Sequence, residues 1–217
     1  MPPTPTIEQW TQALRAAAAR AFADDPLPID GTTEQRLAYA RSFRDESGAR
    51  PEVVSPLLAD LLQTPIPPDD SRSIDVRFWS CLNAGPRAPL PPLRASGPLL
   101  HDPADQTAIE VRTESELIAL HALHELAERR GEESLRERVR DAARWHLREL
   151  QPDNATNRPW AIQVFARLSL VDDARIAGAA LVHAQTQLHG CQLTLGRPDR
   201  LSACILLHAA RSLESDA

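Results

Sequence analysis

Beyond Pro103, apolar residues recur at three-and-four spacing, the period of helices that bury one face. The spacing predicts a helix through "ELIALHALHELAERR", opened by Thr113 and Glu116 as a capping box and closed at Gly131. A second, from Glu132 to about Leu150, carries Leu135, Val139, Ala142, Ala143, Leu147 and Leu150 as its stripe and stops before Pro152. A third is expected after Asn157, with Pro159 in its first turn and Ala161, Val164, Phe165 and Leu168 inward. The fourth starts near Asp172 and Asp173, presents Ala177, Leu181, Ala184, Leu188, Cys191 and Leu195, and ends at Gly196. A last helix runs from about Asp199 through "RLSACILLHAARSL".

The first half is less periodic. Thr6 and Gln9 open a helix carrying Trp10, Leu14, Ala17, Ala18 and Phe22. Two more are predicted near Glu34 to Asp45 and Glu52 to Gln63. The organisation expected is an N-terminal helical region over 1–65, a Pro-rich crossing over 66–106 and a C-terminal helical array over 107–217, packed as one domain. In and beside the crossing, Ile74, Val76 and Phe78, and then Ile109 and Val111, alternate with polar residues, which leaves two short strands open. The run "RAPLPPLRASGP" places Pro89, Pro92 and Arg94 at the spacing read by Pro-recognition domains, but a stiff strap laid over helices is the simpler reading.

Composition narrows the chemistry. The 24 basic residues are all Arg, so a Schiff-base lysine, a P-loop lysine and a Ser-Lys pair are excluded. A formal net charge of -6 with no acid-free Arg run argues against nucleic-acid binding. No segment has the length and apolarity of a membrane span, and the N-terminus lacks a secretory pattern, so no membrane partner and a cytoplasmic location are expected. Cys81, Cys191 and Cys204 are too few and scattered for a disulfide framework or zinc knuckle.

"NRPWAIQVFARL" and "GRPDRLSACILL" superpose, with Arg158-Pro159 on Arg197-Pro198, which suggests a helix-loop-helix unit repeating after about forty residues. The joint "ARWHLRELQPDNATNRPW" resembles that of α/α-toroid proteins such as terpenoid cyclases and protein prenyltransferases: Gln151, Pro152, Asp153 and Trp160 match by type and order, with Asn154 where Gly is usual. The resemblance is confined mainly to residues 143–165. It implies a mainly α fold of antiparallel hairpins forming a partial toroid or open helical array, in which such joints are structural. The closely spaced aspartates and the zinc pattern of that family are missing.

Several side chains are candidates for function. In the joint, Asn157 reads first as N-cap, Asp153 as a holder of turn N–H groups and Arg158 as the partner of a neighbouring carboxylate, and alternatively the loops form a binding edge for an acidic partner in which Arg158 and Arg197 lie side by side. His121, His124, Glu125 and Glu128 share one helical face that could take a divalent metal but reads first as solvated. His146 and His208 fall on apolar stripes and read as neutral core residues, or as cavity lining if the helices enclose one. Trp160 is a packing anchor. No cofactor and no metal are expected. The leading function is a non-catalytic interaction or scaffold module with a protein partner or self-association. The alternative is a small enzyme or apolar-ligand carrier with a cavity between the helices, using His146 and Asp153 as acid and base, and a small-molecule ligand stays open.

Overall fold

The computed structural model describes residues 4–65, 73–85, 87–150 and 158–215. Among them every regular element is a helix: α1 (Ile7–Ala19), α2 (Thr33–Ser42), α3 (Val54–Leu61), α4 (Ile74–Ala84), α5 (Ile109–Arg130), α6 (Glu133–Glu149), α7 (Ile162–Leu168), α8 (Ala174–Gly190) and α9 (Arg200–Glu214). None is long and apolar enough to cross a membrane.

Local chemistry explains most of the boundaries. Thr6 with Gln9, and Thr32 with Gln35, form reciprocal capping boxes at α1 and α2. Asp173 and Asp199 accept the first free N–H groups of α8 and α9. Gly131 closes α5 in the left-handed conformation, at φ 63°. Thr32→Ala removes one cap from a helix with a single buried residue. It is expected to cost about 1 kcal/mol, read as a lower urea midpoint with an unchanged slope.

Four boundaries differ from the sequence reading. Ile74, Val76 and Phe78 belong to α4, and Ile109 and Val111 to the first turn of α5, so neither segment is a strand. Helix α5 starts a turn before Thr113, which is buried inside it. Glu116 caps no helix: its carboxylate accepts the N–H groups of Leu99, Leu100 and His101 at 2.6–2.8 Å. Helix α7 begins at Ile162 with Ala161 as N-cap, so Pro159 precedes it. Helix α8 ends at Gly190, and Leu195 lies exposed in the turns that follow.

The three N–H groups on Glu116 pin the non-helical segment 87–108 across α5. Arg138 of α6 holds the carbonyls of Arg94, Gly97 and Pro98, and Asp141 accepts the Gly97 N–H at 3.0 Å. One continuous apolar core draws on all nine helices. Its axis is α5, buried at every position from Glu116 to Ala127, and a helix enclosed on all sides has no solvated face. The most extensive helix pairing is between α1 and α9, followed by α4 with α5 and α7 with α8.

Candidate functional site

Helix α3 is apolar except for Ser55 and Asp60, and Asp60 is only 8 % exposed. A carboxylate in such a place must be paired. Arg129, at the end of α5, meets it with two N–H groups, at 2.7 and 2.9 Å. Arg211 of α9 also pairs with it, and its other nitrogen donates to the Asp60 carbonyl at 3.0 Å. The His208 ring of α9, fully buried, approaches from within at 2.9 Å.

The partners fix the proton positions behind it. The Ala161 backbone N–H donates to Nδ1 of His121 at 3.1 Å, so that nitrogen accepts and Nε2 carries the proton. Nε2–H then donates to Nδ1 of His208 at 3.0 Å, and the proton on His208 Nε2 reaches Asp60. Every donor points toward the carboxylate. Because the inner end is a backbone amide, which does not give up its proton, the array positions groups rather than conducting protons. Trp79 and Trp160 enclose the two imidazoles, at centroid distances of 4.9–5.8 Å. The Trp79 indole N–H is held by the Ile118 carbonyl at 3.2 Å.

Electrostatics sets Asp60 and His121 away from neutral-pH titration. Burial alone raises the Asp60 carboxyl, but hydrogen bonds from His208 and Arg129, together with the Arg129 charge, outweigh it and hold the group well below the usual carboxylate range. Burial, and then the neighbouring His208 and His124, push His121 far below its usual value, so it stays neutral. The outer side of Asp60, Arg129 and Arg211 opens into a groove of about 780 Å³, also lined by Ser80, Asn83 and Thr64. Of the described lining residues, only Asp60, Arg129 and Arg211 are charged, so two guanidiniums face one carboxylate.

The sequence candidates are dispersed. His208 belongs to this array. His121 and His124 are buried, and so is Glu125, which corrects the solvated-face reading; Glu128 alone of that face reaches outward, pairing with Arg136 at 3.1 Å. His146 is fully buried, and neither ring nitrogen has a hydrogen-bond partner among the described residues. The space beside it leaves no room for a water molecule, so it lines no ligand cavity there. Arg158 and Arg197 do line one cleft, of about 430 Å³, but each turns to a carboxylate, Asp45 at 3.3 Å and Glu46 at 3.4 Å. Trp160 is a buried anchor whose carbonyl accepts from Gln187 at 2.9 Å. Asp153 and Asn157 lie outside the described residues.

Sequence reasoning missed Asp60, Arg129 and Arg211. The available signal was a lone aspartate inside "VSPLLADLL", since an ionised group in an apolar helix requires a distant partner. It also missed His183 and Gln163, buried on α8 and α7 without hydrogen-bond partners among the described residues. Compared with known protein families, curated proteins and solved structures, the chain gives no match.

Proposed function

We propose that this protein is a non-catalytic binding module whose working surface is the groove over Asp60, Arg129 and Arg211, and that it grips an acidic group of a partner. The observation that carries this reading is the state of the charged groups. Asp60 is held anionic and the two guanidiniums are cationic at any physiological pH, so the groove offers fixed charge and hydrogen-bond donors, and no group poised to exchange a proton near neutrality. The ion pairs hold both Arg side chains in place before a ligand arrives, which lowers the entropic cost of binding. Arg129 uses its two terminal nitrogens on Asp60 yet stays 40 % exposed at its side chain, and a planar guanidinium has five N–H donors to share. The helical array, in this reading a partial α/α-toroid, serves as the rigid frame.

Native mass spectrometry of protein isolated gently from its own host tests the proposal, with Ala84→Trp as the comparison. Ala84 is exposed at the groove's edge, at the end of α4, so a Trp there fills the groove without entering the core. The expected result is a bound acidic partner that dissociates as salt is raised and is lost from Ala84→Trp at an unchanged melting temperature. Retention of the partner by Ala84→Trp would overturn the reading.

A further inference from the structure

We propose that His121, His208 and Glu125 form a buried divalent transition-metal site, of the zinc class, opened by a flip of the Trp160–Ala161 peptide. This site lies behind the groove and does not rest on the groove reading. One ligand atom from each residue lies within 4.8 Å of the other two, and all three residues are buried. Glu125 Oε1 has no hydrogen-bond partner among the described residues although the residue is only 7 % exposed. A buried carboxylate oxygen without a donor is one that a bound cation would satisfy. The two imidazole nitrogens already face each other at 3.0 Å. Around a tetrahedral ion with bonds of ~2.05 Å they would stand about 3.3 Å apart, so the rings need only spread slightly.

His208 is prepared for this role. Its Nε2–H is held by Asp60, which leaves the Nδ1 lone pair directed at the site, the carboxylate–histidine–metal order common among metal ligands. His121 is not prepared, because the Ala161 N–H occupies Nδ1 and keeps the proton on the Nε2 that a metal would need. The surrounding backbone supplies the remedy. Ala161 sits at φ 58°, ψ 18°, a strained conformation for a residue with a Cβ. Turning over the peptide plane before it would return φ to negative values and replace the N–H facing His121 by the Trp160 carbonyl. That carbonyl would accept an Nδ1–H, the usual second bond of a metal-bound histidine.

Gln187 completes the exchange. Its amide now donates to the Trp160 carbonyl, and its own Oε1 has no partner among the described residues. A half-turn of the amide would present Oε1 to the relocated Ala161 N–H. The His121 proton moves from Nε2 to Nδ1, so proton count and charge are unchanged before the ion enters.

The test uses the wild-type chain with Zn²⁺, and with Co²⁺ as a spectroscopic probe of coordination. The expected results are one ion per chain, a visible Co²⁺ spectrum of tetrahedral type, and a transfer of the His121 proton from Nε2 to Nδ1 seen in the ¹⁵N shifts of its ring. Glu125→Gln, nearly isosteric, should weaken binding by at least about tenfold, on the scale that even outer-shell partners reach. Ala84→Trp should leave metal binding unchanged, which separates this site from the groove. Absence of a bound ion, an ion bound with the His121 tautomer unmoved, or equal affinity in Glu125→Gln would each overturn the proposal.

Discussion

Replacing Asp60 by Asn is expected to lower stability by about 3–5 kcal/mol, the cost of breaking a buried ion pair from one side. The amide has nearly the same shape, so little packing is lost. What changes is that Arg129 and Arg211 lose their counter-charge, and His208 loses the anion that accepts its Nε2 proton. A cost of that size is a large share of a typical folding free energy of 5–15 kcal/mol. Urea unfolding at neutral pH reads it directly. A loss below about 1 kcal/mol would mean that solvent already screens the cluster as it screens a surface pair. The same carboxylate adds an acid limb: its folded pKa is depressed, so its contribution is complete above the unfolded value of about 3.9 and disappears as pH falls below that toward the folded value.

A second acid limb should appear earlier, from His146 and His183. Burial pushes His146 down to about 3, with neighbouring His183 adding to the shift, and burial pushes His183 down to about 4. Both are therefore neutral when folded but take up protons near pH 6.5 when unfolded. The unfolded chain binds more protons between about pH 4 and 6.5, so stability is full above this window and falls as pH drops through it. Going from pH 7 to pH 5 should remove about 2 kcal/mol for each of the two histidines. His146→Leu is expected to abolish about half of that loss and to be neutral or slightly stabilising at pH 7, since it removes two buried nitrogens that have no partners among the described residues. Stability measured at both pH values for both proteins decides it; an unchanged pH slope in the variant would sink the idea.

These two clusters also show which parts of the molecule were legible in its sequence. Caps written in adjacent residues, such as Thr6 with Gln9, or Asp199 before Arg200, were readable because the partner lies within one turn. The Thr113 and Glu116 pair has the same spacing and misled, because a carboxylate three residues after a threonine can equally serve a distant backbone, here the segment 99–101. The short alternating runs at Ile74 and Ile109 misled for a related reason: over three to five residues, alternation is compatible with a helix packed on more than one side.

The candidate site was less readable than the fold. A polar stripe on α5 resembles a solvated face until its partners are known, and the partner of His121 is His208, far later in the chain, which in turn reaches Asp60, far earlier. Spacing rules reach a few residues, whereas this array is closed by side chains from α3, α5 and α9. The one local trace was the placement of Asp60 itself.

The pairing of α1 with α9 has a consequence for how the chain reaches this state. As the polypeptide is synthesised, the buried face of α1, with Trp10, Leu14 and Ala18, emerges long before α9, the helix it packs against most extensively, exists. Arg211, which completes the Asp60 cluster, emerges later still. Contacts between such distant parts of a chain form slowly, since the intervening loop must be closed before they are rewarded. The nascent chain therefore carries an uncovered apolar helix and a half-neutralised carboxylate until α9 has been made, an interval in which it is exposed to aggregation.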